Sequence, residues 1–189
     1  MLNDAQGQLL IRLARQTIAA QLGISDQPIA EDQLDQPALR EQRGVFVTLH
    51  KGGDLRGCIG SLVAAESIVD GIRRNAINAA FHDFRFNPVS VDELAQLHVE
   101  VSVLTEPVPL PYDGADELLQ LLRPGRDGVI LEGPGQARAT FLPQVWQQLP
   151  SVEQFLAQLC RKAGLAETAW RSGNLAISTY QVQSFAEPR

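Results

Sequence analysis

From Asp4 to Leu22 the apolar residues Leu9, Leu10, Leu13, Ile18 and Leu22 fall within one helical stripe, and Gly23 follows as a left-handed stop. The spacing predicts an amphipathic helix. Between Ser25 and Arg43 the pattern lapses: polar residues dominate, Pro28 and Pro37 interrupt, and the stretch is expected to form a long connection over one side of the fold. Val45 to His50 is rich in strand formers, Lys51-Gly52-Gly53-Asp54 has turn chemistry, and Leu55 to Ile59 returns as a second strand. Ser67 with Asp70 forms a capping-box pattern ahead of a helix to about Ala80 that buries Ile68, Ile72, Ala76 and Ala79. A short helix is expected within Val91 to Leu97. From His98 to Leu104, Val99, Val101 and Val103 alternate with His98, Glu100 and Ser102, the period of a half-buried strand.

Gly128 to Glu132 and Ala137 to Leu142, separated by Gly133-Pro134-Gly135, predict another hairpin. A second capping box, Ser151 with Gln154, opens a helix whose buried face carries Val152, Phe155, Leu156, Leu159, Cys160 and Ala163 and which stops at Gly164. Leu175 to Phe185 supplies a final strand. Hairpin turns create antiparallel pairs, so the expected class is α+β, with antiparallel hairpins and a mixed sheet flanked by helices, rather than a doubly wound fold. At 189 residues the chain fits one domain, 1–189, or two lobes.

Register sets what surrounds Cys58, because a one-residue slip exchanges the two faces of a strand. A three-residue loop, Gly52-Gly53-Asp54, would pair Lys51 with Leu55, His50 with Arg56 and Thr48 with Cys58. Val45, Val47 and Leu49 then share an apolar face with Leu55, Gly57 and Ile59, and Phe46, Thr48, His50, Arg56 and Cys58 form a wall on the other. Gly57 and Gly60 leave room for another backbone or a ligand. Two- or four-residue loops would mix polar and apolar groups on both faces.

Composition narrows the function. The chain is 44% hydrophobic and 20% charged, as a folded globular protein is. No stretch reaches the roughly 20 apolar residues of a membrane span, and the start lacks the pattern of a secretory signal. Two cysteines are too few for a disulfide framework, so free thiols and a cytoplasmic location are expected. A net charge of -6 gives no global attraction to nucleic acid; a local patch of Arg73, Arg74 and Arg85 would be needed.

Candidate chemistry centres on Cys58. Arg56, two residues away, would favour the nucleophilic thiolate, and His50 opposite would serve as a base. The plain alternative is a small core hydrophobe, which is also the expectation for Cys160 on its apolar stripe. His82-Asp83-Phe84-Arg85-Phe86 brings an acid, a base and aromatics to a helix end; Asp83 would orient a histidine, bind a cation or pair with Arg56 or Arg85. Glu100 faces water or the Arg56 side. Cys58, His50, His82 and Asp83 have no metal-site spacing, and no Walker loop or Gly-x-Gly-x-x-Gly is present, so no metal or cofactor is expected.

Gly44 to Leu49, Leu55-Arg56-Gly57-Cys58-Ile59-Gly60, Asp83 with Arg85-Phe86 and Pro88, Glu100 to Leu104, and Thr140 with Leu142-Pro143 together resemble the AmmeMemoRadiSam system protein A family, which shares its domain with the AMME syndrome candidate protein. The resemblance covers about residues 44–185. It implies a compact α+β fold with a larger and a smaller lobe, the smaller including part of the region ahead of Cys58. It also implies a Memo-like protein and a radical S-adenosylmethionine protein as partners, any cofactors being theirs, since this chain has no three-cysteine cluster motif. Phe84 departs from the family pattern, where a proline commonly precedes the Arg-Phe pair.

The leading expectation is binding or modification of a small molecule or peptide at a Cys58/Arg56 groove. Cys58 is then the nucleophile or contact, Arg56 takes anionic groups, Asp83 organises the rim, and Gly57, Gly60, Arg85 and Glu100 line it. A noncatalytic protein-binding adaptor is the alternative, a nucleic-acid-binding module a third; whether there is enzymatic turnover stays open.

Overall fold

The computed structural model describes residues 1–24, 28–172 and 174–188. The backbone clusters into two units, one made of 1–104 with 183–189, the other of 105–182. The segment ahead of Cys58 therefore belongs to the larger unit, not to the smaller as expected from the resemblance.

In the first unit, helix α1 (Asp4–Gln21) starts at a full capping box, with the Asn3 side chain accepting from the Gln6 amide and Gln6 reaching back to the Asn3 amide. The connection expected after it contains two single-turn helices, α2 (Glu31–Leu34) and α3 (Pro37–Arg40), whose Leu34 and Leu39 are buried. Pro37 does not break this segment but opens α3, because a first-turn position needs no amide hydrogen. The hairpin strands β1 (Val45–Lys51) and β2 (Asp54–Ser61) follow, then α4 (Ile68–Phe81), α5 (Val91–Leu94) and β3 (Leu97–Leu104). Ser67 caps α4 by accepting from the Asp70 amide, while the Asp70 carboxylate takes the Ser67 hydroxyl, so only half of the expected capping box forms.

The first sheet has the order β2-β1-β3-β8, where β8 (Val182–Ala186) comes from the end of the chain. Helices α1 and α4 pack together and cover one face of it. Alternation explains which: Val45, Val47 and Leu49 of β1, Val99, Val101 and Val103 of β3, and Ile72, Ala76 and Ala79 of α4 share one core. Phe185 joins it by laying its ring against Gly7, where a Cβ would stand 2.0 Å from the ring.

The second unit holds the sheet β4-β7-β5-β6, built from β4 (Val108–Pro109), β5 (Gly128–Glu132), β6 (Arg138–Phe141) and β7 (Ala176–Tyr180), with helices α6 (Ala115–Leu121) and α7 (Val152–Lys162). Trp146 stacks on Phe155 at 3.7 Å and donates its indole N–H to the Asp127 carbonyl, 2.7 Å. Cys160 is fully buried in this core, as its stripe predicts, and burial pushes its thiol up.

The α+β class holds, with the sheets antiparallel rather than mixed. The expected final strand from Leu175 to Phe185 is two strands, β7 and β8, in different sheets and separated at Gln181.

Candidate functional site

Strand β2 lies at the edge of its sheet, so alternate backbone groups along it have no neighbouring strand. At Cys58 the loop after α4 supplies the partners. The Cys58 amide donates to Asp83 Oδ2 at 3.0 Å, and its carbonyl accepts from Arg85 Nη2 at 3.1 Å. Arg85 binds the Asp83 carboxylate through Nε, 2.9 Å, and Nη2, 2.6 Å, and its own amide adds a third contact at 3.2 Å. A turn closed by the Phe86 amide on the Asp83 carbonyl, 3.0 Å, makes this geometry possible.

Asp83 is only 4% exposed. The Arg85 guanidinium, with the Cys58 and Arg85 amides, holds its carboxyl well below the usual carboxylate range against the opposing effect of burial. Of the partners considered for Asp83, the one found is Arg85. The pair grips the backbone of Cys58 from its open side.

The hairpin turn differs from expectation. Lys51 faces Asp54, leaving a two-residue loop whose Gly52 and Gly53 have φ of 62° and 93°. Positive φ at both central residues is the signature of the hairpin turn whose twist matches the flanking strands. His50 then faces Leu55, Leu49 faces Gly57, and Arg56 is an extra, bulged residue. The bulge restores the odd register beyond it, so Thr48 does face Cys58. The apolar face explains why: without the extra residue, Gly57 and Ile59 would leave the helical side. Arg56 thus does not oppose His50, and Leu55 does not join the core but is 41% exposed.

The bulge turns Arg56 toward the loop that follows α4. Its Nε and Nη2 bind Glu93 at 3.1 and 3.0 Å, and Nη2 also donates to the Asn87 carbonyl at 2.9 Å. Lys51 binds the same carboxylate at 2.9 Å. Arg56, then Lys51, bring the Glu93 carboxyl down to about 2. The Phe86 ring lies under both guanidiniums, 5.9 Å from Arg56 and 5.5 Å from Arg85. The Cys58/Arg56 partnership expected from two-residue spacing is replaced by Cys58 with Asp83 and Arg85, and Arg56 with Glu93. Glu93 was legible only as the third helical position after Ser90, whose amide it accepts at 3.1 Å.

On the face away from the helices, the Thr48 hydroxyl donates to Cys58 Sγ at 3.2 Å. Thr48 pairs across β1 and β3 with Glu100, so thiol, hydroxyl and carboxylate stand in one row over three strands. His50 Nε2 lies 4.0 Å from Glu100 Oε2, and His50 and His98, paired in the next row, meet edge to face at 6.5 Å. His98 Nε2 approaches the Glu187 carbonyl at 2.5 Å. A carbonyl only accepts, so this contact places the His98 proton on Nε2. Thr48 holds the place on this wall that its register predicts, and His98 in the next row joins the face beyond the residues singled out as candidates, strand alternation being the signal that could have found it.

Gly60 lies beneath the Phe46 ring, which a Cβ would meet at 2.2 Å; Gly57 faces α4, where a Cβ would stand 2.2 Å from the Ala79 carbonyl oxygen. The backbone that approaches Gly57 is thus the protein's own helix. Two concavities of about 900 and 540 Å³ lie against the helices, around Leu13, Ile77 and Arg73, and Cys58 lines neither. Among the described residues, no three His, Cys, Asp or Glu side chains converge closely enough to hold a metal ion. The row offers a sulfur, a hydroxyl, a carboxylate and imidazoles, groups suited to hydrogen bonding and proton exchange at a thiol.

A protein of Methanothermobacter thermautotrophicus is 40% identical over 188 residues, covering 98% of this chain and 96% of that one. A protein of Thermofilum pendens is 39% identical over 202 residues, covering 98% and 92%. The crystal structure of the uncharacterized protein PH0010 from Pyrococcus horikoshii superposes with a TM-score of 0.77 at 35% identity, covering 98% of this chain and 93% of that one. The AMMECR1 family model matches residues 11–185, a span that includes the Cys58 strand, the Asp83 turn and strands of both sheets, and the chain belongs to the AMMECR1 family.

Proposed function

We propose that the thiol-bearing face of the first sheet recognises a small molecule or peptide, with Cys58 as the reactive or contacting group. The observation that carries this is the grip of Asp83 and Arg85 on the Cys58 backbone, which fixes the residue while its sulfur stays on the face shared with Thr48, His50 and Glu100. In this reading Thr48 orients the sulfur, Glu100 and His50 accept protons or hydrogen bonds from the ligand, and Arg56 acts through the Glu93 network rather than on an anionic substrate. The test is alkylation of the native protein with iodoacetamide, read by mass spectrometry. Cys58 is expected to be modified in the folded state and Cys160 only on unfolding. Modification of both at the unfolding rate would leave Cys58 a packing residue.

A second reading, a noncatalytic adaptor, is favoured by Phe84. This side chain is 94% exposed, yet it sits between Asp83 and Arg85 in the locked turn. A rigid exposed aromatic is the residue type that anchors protein interfaces. The Memo-like and radical S-adenosylmethionine proteins implied by the sequence resemblance are the partners to mix with it, and co-elution lost in Phe84→Ala would support this reading. Nucleic acid is disfavoured because Arg73, Arg74 and Arg85 are paired with Glu31, Glu66 and Asp83.

A further inference from the structure

We infer that the ligand of the thiol face carries a cationic group, an ammonium or guanidinium, that sits over Glu100; this rests on the recognition role proposed above for the same face. The argument is a charge inventory. Lys51 of β1 and Arg56 of β2 are both committed to Glu93. Arg85, in the loop beside Cys58, is committed to Asp83, and Arg15 of α1 to Glu187 at the chain end. On the thiol face itself, β1 presents Phe46, Thr48 and His50, β2 presents Cys58 under its Thr48 contact, β3 presents His98, Glu100 and Ser102, and β8 presents Ser184, bonded to Ser102 at 2.9 Å. His98 is engaged with the Glu187 carbonyl.

Glu100 is left as the anion of this row, half-exposed, with the His50 imidazole at 4.0 Å, beyond hydrogen-bond range. Asp83, Glu93 and Glu187, by contrast, each have a guanidinium or ammonium directly on them. The ordinary account of such a glutamate is a solvated surface charge. What sets this one apart is its place in register with the thiol. The Cys58 amide and carbonyl point outward to Asp83 and Arg85, so Cys58 and Thr48 are a non-hydrogen-bonded pair, Thr48 and Glu100 the hydrogen-bonded kind. The two outer Cα atoms are then about 10 Å apart, a gap that a short ligand arm bridges from sulfur to carboxylate.

Disulfide exchange at Cys58 measures this preference without knowledge of the natural ligand. The thiolate attacks a symmetrical disulfide, one sulfur–sulfur bond breaks and one forms, and half of the reagent leaves as its thiol. The protein is equilibrated with cystamine, with 2-hydroxyethyl disulfide and with dithiodiglycolate, each against the same excess of its own thiol, and Cys58 occupancy is read by intact mass. Cystamine is expected to cap Cys58 roughly fivefold more favourably than dithiodiglycolate, the scale of one carboxylate contact near water, with the hydroxyethyl reagent between them. The ratio should fall toward one in Glu100→Gln and in 1 M salt, and persist in Glu100→Asp, which keeps the charge. Cys58→Ser should remove all capping. Equal capping by the three reagents, preference for the anionic one, or a ratio unchanged in Glu100→Gln overturns the cationic assignment and leaves the recognition role standing. Failure of all three to cap the folded protein overturns the recognition role as well.

Discussion

Asp83 keeps its charge under near-complete burial because Arg85 and two backbone amides aim donors at one carboxylate. Asp83→Asn removes a charged acceptor, while the half-exposed Arg85 can still reach water, so the expected loss at neutral pH is on the order of 1.5–3 kcal/mol by urea denaturation. The sign with pH follows from the lowered carboxyl. The contribution is fully present above the ordinary aspartate value of about 3.9 and is lost as pH falls through the lower native value. Wild type and variant should therefore converge only in strong acid; a gap unchanged there would remove the charge from the explanation. Glu93, held at about 2, loses its contribution in the same direction as pH falls from about 4.3 toward that value. Gly57 fails for a steric reason: a methyl group would meet the Ala79 carbonyl oxygen at 2.2 Å, backbone against backbone. Gly57→Ala is expected to cost about 1–3 kcal/mol or more, whereas unchanged stability would mean that α4 shifts freely.

The hairpin shows what an element adds to its residues. Two glycines with positive φ make the turn, and one extra residue, Arg56, reconciles its even loop with the odd register that the apolar face requires. Gly52→Asn should be tolerated within a few tenths of a kcal/mol, since asparagine enters the left-handed region readily and favours this turn. Gly52→Ala should cost about 1–2 kcal/mol. Thermal unfolding of the two variants separates them, and equal losses would count against the turn geometry. The bulge also has a chemical consequence. It takes a permanent positive charge that two-residue spacing places beside the thiol and delivers it to Glu93, leaving the thiol face with Glu100 as its anion.

At the scale of the molecule, the second unit is inserted between neighbouring strands of the first, β3 and β8. Its two ends meet: the Thr105 amide donates to the Gln181 carbonyl at 2.8 Å, and the Gln181 amide to the Thr105 hydroxyl at 2.8 Å. Among the described residues, the two cores have no member in common. Replacing 106–180 by an Asn-Gly turn should therefore leave a first unit that unfolds cooperatively in urea and keeps the cross-strand contact between Thr48 and Cys58 by nuclear Overhauser effect. A noncooperative product would show that the first core depends on the insert.

Local pattern determined the helices α1, α4 and α7, both hairpins, the burial of Cys160 and the pairing of Thr48 with Cys58, because periodicity, caps and glycines act within a few residues. It did not reveal α6 or the short helices α2 and α3, whose turns have weak periodicity and are held by tertiary burial of Leu118, Leu34 and Leu39. Nor did it divide the last strand, since a continuous run of strand formers carries no mark of which sheet each half will join. The site divides the same way. Strand alternation placed Thr48, His50 and Cys58 on one face, but only the folded chain decided that Glu100 joins them, that Asp83 and Arg85 would grip Cys58 across 25 residues of sequence and that Arg56 would go to Glu93. Alternation is local; the choice of partner for a charge depends on which distant element the core brings beside it.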